Sequence, residues 1–514
     1  MGQTATKESP VEFLPPVQTR DELQERFKWR LSGSFSSDAK EEWFQTIFQI
    51  FCTQSGSEKF WTVPDLQEFI ISTFPPELAA LVGEAAPILH RCLLRLGSFP
   101  YHNDPHHTMP QDVLRTGIII LLGLDGGKLL QQDHDEASLI YPQHLNAAQR
   151  TLLFQSMADV PSITSDTGRN VEDDFHLQKA LDLITYGNFR RNAWFPTAVT
   201  KGPEYPPAEN FPSSNSTLTN GSISLKNSRP LLRLMLLTQL HVAGIEPGEF
   251  TSCPAQVEAV TDCLLAGFQD RTSADSTAVS FATFDQVLDR SLQNLFMGLP
   301  RVLGPLHSVK PLPSEKASLS VRDAQMLLKG LFTPSVRTQP PSEGLIMNLP
   351  LMSQLSMTLP EDFPIEAQKS VYSSRDIDLQ QLGTCLSMIS TARIILVSGK
   401  SPPEPVIFGA YFPKGSSLSG IAQLRVILQL APIHRVFHHS KEMSQINAGF
   451  STEGSQLEIS LEDDVLGVVT LALQSNSTGL FTGRQKGDIS LTFDVDAVEL
   501  FSYEGDFVRV DTFE

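Results

Sequence analysis

The chain has 514 residues, of which 41% are hydrophobic and 19% charged, and its formal net charge is −19. Its length exceeds what one ordinary hydrophobic core can hold and its composition is globular, so we expect about three or fewer domains. Affinity for nucleic acid comes mainly from Lys and Arg, and the acidic balance therefore argues against direct nucleic-acid binding.

Residues 1–19 form a predicted flexible N-terminus with a lipidation signal. Gly2 follows the initiator Met, and Thr6 occupies the hydroxyl position of the myristoylation pattern, so Gly2 is the predicted lipidation site. The alternative is an ordinary flexible start with glycine at the second position. One myristoyl chain binds membranes weakly and reversibly, so we expect weak membrane association that needs a protein partner as a second signal.

The rest of the chain offers no secretory signal and no transmembrane run. The N-terminus lacks an apolar segment, and the longest apolar runs fall far short of the ~20 residues that span a bilayer. The cysteines are Cys52, Cys92, Cys253, Cys263 and Cys385. Their number is odd and their spacing scattered, which is typical of reduced thiols. These observations predict a cytoplasmic protein.

Residues 20–195 are predicted to be a helical domain, because apolar residues recur there at helical spacing. Within the helical parts, the segments from Phe51 to Phe69 and from Phe268 to Leu288 are typical of the helix-loop-helix of EF-hands. Neither supplies the oxygen ligands, the glycine and the closing Glu that bind calcium. The sequence therefore predicts a degenerate, metal-free EF-hand-like scaffold.

The next boundaries follow from composition. Residues 196–230 are rich in Pro, Ser, Asn and Gly and are predicted to be a linker. Helical periodicity returns over 231–304, and residues 305–343, with several prolines, form a second predicted linker.

After residue 344 the pattern changes to β-branched runs separated by turn residues. Seven short strands over about 120 residues predict a sandwich. The predicted strands begin near Ala392, Pro405, Leu424, Leu457, Val465, Asp488 and Ala497. The fold class is therefore α+β, with a helix-rich N-terminal region followed by a C-terminal β-sandwich with flanking helices.

The phrases between these strands resemble the TLDc domain. They include Val371-Tyr-Ser-Ser-Arg, Ile394-Ile-Leu-Val-Ser-Gly, Leu428-Gln-Leu-Ala-Pro, Glu462-Asp-Asp-x-x-Gly and Val495-Asp-Ala-Val-Glu-Leu-Phe. Together they cover roughly residues 344–506, leaving 507–514 as a tail. With the Met-Gly-Gln start and the helical N-terminal part, the whole chain resembles the fungal restriction of telomere capping protein 5 family. It departs from the family pattern at Phe501, where the closing strand usually has tryptophan.

The resemblance implies a non-catalytic regulatory protein. Members of the TLDc family engage the vacuolar or lysosomal proton-pumping ATPase and influence oxidative-stress resistance. We therefore expect a vacuolar ATPase partner, a peripheral position on the vacuolar membrane and an indirect link to telomere capping.

Other chemical sites find no support in the sequence. His102, His106 and His107, and likewise His434, His438 and His439, lack zinc-site spacing, and we interpret them as surface and loop histidines. Gly126-Gly127-Lys128 has Leu129 where a phosphate loop needs Ser or Thr. No cofactor, metal or catalytic residue is predicted.

One alternative function remains, which is a cysteine-dependent enzyme of oxidative-stress defence. Its nucleophile would be Cys385 or Cys92, although no nucleophile-base signature accompanies either residue. A buried structural thiol is the competing interpretation of both.

Overall fold

The computed structural model describes parts of the chain from Glu25 to Tyr503. The described stretches are 37–99, 108–123, 147–159, 221–307 without 242 and 270–276, 344–359, 368–388, 391–413 without 403, 426–438, 449–453, 456–463, 467–483 and 489–503, with residues 25, 28, 29, 31 and 145 as single positions. The predicted N-terminal segment 1–19, the tail 507–514 and most of both linkers lie outside them.

The described part of the N-terminal region is helical, with short strands between the helices. Its helices are α1 (Asp38–Phe51), α2 (Val63–Ser72), α3 (Ala79–Gly83), α4 (Ala86–Gly97), α5 (Gln111–Leu121), α6 (Ala147–Met157), α7 (Leu225–Thr238), α8 (Pro254–Gly267), α9 (Phe281–Gln286) and α10 (Leu299–Leu303). Its strands are β1 (Thr53–Ser55), β2 (Glu58–Trp61), β3 (Met109–Pro110), β4 (Ser222–Ser224) and β5 (Ala278–Ser280).

Polar side chains begin several of these helices. Ser37 accepts a hydrogen bond from the Lys40 N–H, and Thr62 and Asp65 form a capping box at α2. Ser224 likewise accepts from the Asn227 N–H, so α7 begins at Leu225 and contains Pro230. The predicted linker 196–230 therefore ends too late, because the Ser224 cap starts the helix before the proline.

Short antiparallel strands join the helices in pairs. Trp61 of β2 faces Met109 of β3, and Ile223 of β4 faces Val279 of β5. In every case the facing residue immediately precedes the N-cap of the following helix. The region is thus built from similar helix-strand-helix units. The units associate in pairs, because the short strand of one pairs with the short strand of the next at the equivalent position.

The C-terminal region is a ten-stranded sheet preceded by α11 (Leu349–Ser356) and carrying α12 (Leu379–Met388). Its strands are β6 (Gln368–Ser374), β7 (Arg393–Ser401), β8 (Glu404–Phe412), β9 (Val426–Ala431), β10 (Arg435–His438), β11 (Gly449–Glu453), β12 (Gln456–Asp463), β13 (Gly467–Gln474), β14 (Thr478–Gly483) and β15 (Ile489–Tyr503). The order is β10-β9-β8-β7-β15-β14-β13-β12-β11, with β6 also on β15, and every pairing is antiparallel.

The long strand β15 divides the sheet into two layers. Residues 489–494 of β15 pair with β14, residues 494–502 pair with β7, and residues 498–503 also pair with β6. The pairing with β7 contains a register shift between Val495 and Ala497. Both layers contribute to one apolar cluster, in which the Phe408 and Phe481 rings stack with centroids 4.6 Å apart. The C-terminal sheet of the predicted α+β fold is confirmed, and its two layers enclose a common core.

The outer faces of the two layers differ. β12 alternates between buried and partly exposed residues, so one of its faces is turned to solvent. β7 is buried on both faces, because Ile394 and Leu396 belong to the apolar core shared with the helical region. The helical region therefore covers the outer face of the β7 layer.

No helix among the described stretches is long and apolar enough to cross a bilayer.

Candidate functional site

The helical region and the sheet meet in a buried junction, which is centred on α11. The Ser353 hydroxyl donates to the Leu236 carbonyl of α7 at 2.5 Å, while Gln354 Nε2 donates to the Leu430 carbonyl of β9 at 3.0 Å. Ser353 and Gln354, which are adjacent in α11, thus bond to the helical region and to the sheet, respectively. We define the junction by α11, the β9–β10 turn and the parts of α7 and α8 that contact them.

His434, in the turn between β9 and β10, is a deeply buried titratable group at the junction. Its side chain is 2% exposed, and its backbone N–H donates to the Cys263 carbonyl of α8 at 2.9 Å. The interpretation of His434 as a surface histidine is therefore wrong. A hairpin turn is usually exposed, but here the helical region packs over it.

Two hydrogen-bond networks fix the tautomer of His434. Gln354 Nε2 lies 3.0 Å from Nδ1 and also donates to the Leu430 carbonyl, so Nδ1 is an acceptor. Nε2 lies 3.2 Å from Thr358 Oγ1 and 3.3 Å from the Ser291 carbonyl. Thr358 itself donates to that carbonyl at 2.9 Å. The ring is therefore neutral, with its proton on Nε2.

Burial lowers the pKa of His434 from 6.5 to about 4, and the hydrogen bond to the Ser291 carbonyl opposes this change. The nearby His438, on β10, donates its backbone N–H to the Asp463 carboxylate at 2.9 Å, and its Nε2 contacts the Arg290 carbonyl. Both histidines therefore link the sheet to the segment around Ser291.

Glu499 of β15 forms a second polar link. Its carboxylate accepts hydrogen bonds from the backbone N–H groups of Leu345, Ile346 and Met347 at 2.6, 2.9 and 2.8 Å. The Ser373 hydroxyl donates to it at 3.1 Å. Glu499 is 1% exposed, so these donors replace the water that a carboxylate would otherwise bind. The carboxylate thereby holds the chain segment that leads into α11.

Asn294 forms a third link, at the end of α11. Its backbone N–H donates to the Met357 carbonyl at 2.9 Å, and its Nδ2 donates to the Leu359 carbonyl at 2.8 Å. Its own carbonyl accepts from Gln239 Nε2 at 3.1 Å. The backbone and side chain of this one residue thus connect the end of α11 with the segment after α7.

Within the helical region, Arg301 of α10 is a buried cation. Its Nη2 donates to the Thr73 carbonyl at 2.9 Å, and its guanidinium lies 4.9 Å from the centre of the Phe74 ring. Burial lowers the pKa of Arg301 to about 10 despite Glu246 nearby. The pKa of His241 falls to about 3, because of its own burial and the positive charge of Arg301.

Three of the thiols, those of Cys52, Cys92 and Cys263, have raised pKa values. Burial raises the pKa of Cys92 to about 12, although Ser156 and Arg95 oppose it. Burial also raises the pKa of Cys263, to about 11, and that of Cys52. Cys385 lies half-buried on α12 and packs against the core of the sandwich. A thiol with a raised pKa is a poor nucleophile, because the thiolate is the reactive form.

Asp65 lies where an EF-hand loop would end, and protein donors occupy its carboxylate. The Thr53 hydroxyl lies 3.0 Å from both carboxylate oxygens, and the Thr62 N–H and hydroxyl each lie 2.6 Å from Oδ2. Among the described residues, no group of three or more His, Cys, Asp or Glu side chains converges as a metal site would require.

Many residues named from the sequence lie outside the described part of the chain. These are the lipidation site Gly2, the histidines His102, His106, His107 and His439, and the segment Gly126-Gly127-Lys128. The junction was not predicted from the sequence: Glu499 lies within a phrase that resembles the TLDc domain, but no pattern indicated that Glu499, Gln354 or Asn294 would join distant parts of the chain. The only available signal was a polar residue within an apolar run, such as Glu499 between Val498 and Leu500.

Comparison of the chain with models of protein families finds no match, and comparison with curated proteins finds none either.

Proposed function

We propose that this chain is a non-catalytic regulatory protein whose sandwich is a TLDc domain and whose partner is the vacuolar proton-pumping ATPase. The observation that carries the non-catalytic part is the use of its buried polar groups. His434, Glu499 and Asn294 are all bonded within the chain: His434 joins the sheet to the helical region, Glu499 joins the sheet to the segment before α11, and Asn294 joins the helical region to the end of α11. The raised pKa values of Cys92 and Cys263 also favour binding over thiol catalysis. The identity of the partner rests on the resemblance of the strand phrases to the TLDc family.

The helical region fits a degenerate EF-hand-like scaffold. In an EF-hand pair, the loop strands of the two units pair with each other, as β2 pairs with β3 and β4 with β5. If each N-cap is loop position 9, the closing position 12 lies three residues later, where calcium binding requires a bidentate Glu. Those residues are Asp65, Val113, Asn227 and Thr283. Only Asp65 carries a carboxylate, and Thr53 and Thr62 already occupy it.

The partner would bind the outer face of the β12–β15 layer. The helical region covers the outer face of the β7 layer but not that of the β12–β15 layer. The latter face carries a row of hydroxyl side chains on neighbouring strands, namely Ser460, Thr470, Thr482 and Ser490. The row bears no charge in a chain whose net charge is −19. Val468 beside it is 46% exposed. The hydroxyls of the row can exchange hydrogen bonds with a partner, and no charge within the row has to be desolvated.

The test is a pull-down from vacuolar membranes with the full chain as bait and the pump subunits quantified. Thr470→Arg places a long cation in the middle of the row and should reduce recovery of the pump at least tenfold. Gln381→Arg is the matched control, because it adds the same charge at an exposed position of α12. Gly2→Ala should reduce recovery from membranes but not from detergent extracts.

Three outcomes would overturn parts of the proposal. If the pump does not enrich with the wild-type chain, the partner is wrong. If Thr470→Arg and Gln381→Arg reduce recovery equally, the binding face is wrong. If the purified chain consumes peroxide and Cys385→Ser or Cys92→Ser abolishes that activity, the protein is an enzyme of oxidative-stress defence instead.

A further inference from the structure

We propose that His434 is a proton-sensitive lock, which holds the β9–β10 turn of the sheet in the helical region while neutral and releases it when protonated. Its side chain is buried between structural units that are distant in sequence. Gln354 of α11 and the Ser291 carbonyl after α9 bond to its ring, and the Cys263 carbonyl of α8 accepts from its backbone N–H. A change of charge at this position therefore acts on the junction as a whole.

The hydrogen bonds leave no place for a second proton. Nδ1 of the neutral ring accepts from Gln354 Nε2, so a proton on Nδ1 would face the amide hydrogens of Gln354 at 3.0 Å. Turning the amide over would present Oε1 to that proton. It would also bring Oε1 against the Leu430 carbonyl, which can only accept and which Nε2 now satisfies at 3.0 Å. Either arrangement loses a buried hydrogen bond, and the carbonyl of Leu430 thus enforces the neutral ring.

The other titratable groups at the junction do not compensate for a charge on His434. On α8 the nearest is Cys263, whose thiol remains neutral because burial raises its pKa to about 11. Gln354 and Thr358 carry no charge. The segment that supplies the Ser291 carbonyl contains Asp289 and Arg290, and β10 contains Arg435 and His438, the last bonded to Asp463. None of these side chains contributes to the shifted pKa of His434, which arises from burial and the Ser291 carbonyl.

The direction of the effect follows from the two states of the turn. Docked, His434 has a pKa of about 4, and exposed it would have its ordinary pKa of 6.5. Below pH 6.5 the released turn binds a proton that the docked turn does not, so docking weakens as the pH falls towards 4. At pH 5 the ratio of released to docked turn should rise about 30-fold relative to pH 7.5. Above pH 7 the lock is fully engaged.

Hydrogen exchange of the full chain tests the lock without any partner. The His434 N–H bonds to Cys263 and the Asn294 N–H bonds to Met357, so both amides report on the junction. The Leu471 amide, in the middle of β13, serves as the reference within the sandwich. After correction for intrinsic exchange rates, protection of the junction amides should fall about 30-fold between pH 7.5 and pH 5, while protection of Leu471 should change far less.

His434→Gln is the decisive variant, because glutamine offers a carbonyl acceptor and an NH2 donor group but does not titrate. In this variant the pH-dependent loss of protection should shrink to about threefold or less. His241→Gln is the matched control, since it removes another buried histidine that lies within the helical region and should leave the 30-fold loss intact. An equal loss in wild type and His434→Gln would overturn the lock.

A second measurement keeps the lock testable if His434→Gln fails to fold. The ring of His434 in the wild-type chain can be followed by NMR with labelled histidine between pH 7.5 and pH 4. A lock requires the ring to remain neutral at pH 5.5 while the turn is docked. A ring that titrates near pH 6.5 with the junction amides still protected would disprove it.

Discussion

The helical region and the sandwich are held together by different kinds of interaction. In the sandwich, strands bond to each other through their backbones, and the core between the layers is an apolar cluster with stacked phenylalanines. In the helical region, each helix satisfies most of its backbone groups internally, so contacts between helices depend on side chains. Arg301, Gln239 and Arg233 accordingly form long-range polar links there while almost fully buried.

This difference between apolar packing and buried polar links indicates which parts of the protein should be sensitive to changes of charge and pH. An apolar core between sheet layers offers little that can titrate, whereas buried polar links lose their partners when a charge changes. The junction resembles the helical region in this respect, because it too is held by buried polar side chains, those of His434 and Glu499. We expect cavities to be the most damaging changes in the sandwich, and changes of polarity or pH to matter most in the helical region and at the junction.

The largest expected effect is a cavity in the sandwich. Phe408→Ala removes a ring that stacks on Phe481 and lies 5.2 Å from the centre of Phe493. The free energy of unfolding should fall by about 4 kcal/mol, as for other buried aromatic-to-alanine changes. The measurement is urea denaturation followed by circular dichroism. Phe408→Leu, which fills most of the cavity, is the control and should lose much less.

Tryptophan fluorescence sharpens this test. All tryptophans of the chain, Trp29, Trp43, Trp61 and Trp194, precede the sheet, so their fluorescence reports on the N-terminal part alone. Because both regions share the apolar core at the junction, the Phe408→Ala change should shift the fluorescence transition as well. A fluorescence transition that does not move would mean that the regions unfold independently, and the shared core would then contribute little.

Much of the sandwich could be predicted from the sequence. The β-branched runs located β7, β8, β9, β12, β13 and β15, because period-2 patterns and turn residues are local signals. β6, β10, β11 and β14 were missed. β14 contains two glycines, which disfavour a strand by propensity. Yet the Phe493 ring lies 2.2 Å from where a Cβ of Gly479 would be, so packing requires the glycine.

The candidate site could not be predicted from the sequence, because its partners lie far apart along the chain. Gln354 and His434 are separated by 80 residues, and Leu345 and Glu499 by 154. Local patterns carry no information about such pairs. The sequence likewise predicts two strands, beginning near Asp488 and Ala497, where the structure has the single strand β15. The predicted break coincides with the register shift between Val495 and Ala497.

The second expected effect is the loss of a polar link at the junction. Glu499→Ala removes the acceptor of three backbone N–H groups, so the free energy of unfolding should fall by about 3 kcal/mol. Urea denaturation monitored by tryptophan fluorescence measures it. Glu499→Gln, which keeps one acceptor oxygen, should lose less, and Ser373→Ala should lose about 1 kcal/mol. Equal losses for Glu499→Ala and Ser373→Ala would contradict the carboxylate's role as the anchor.

The smallest expected effect is acid sensitivity within the helical region. The pKa of His241 is about 3 in the folded chain, against an ordinary value of 6.5. The unfolded chain therefore binds a proton that the folded chain does not, and stability falls as the pH decreases from 6.5 towards 3. At pH 5 the loss in the free energy of unfolding is about 2 kcal/mol relative to pH 7.5.

His241→Gln should remove this loss, so the pH profile of the urea midpoint, measured by tryptophan fluorescence, should become correspondingly flatter. If the profiles of wild type and His241→Gln are parallel, other groups cause the acid sensitivity of the helical region. The difference in acid sensitivity between the helical region and the sandwich would then not depend on His241.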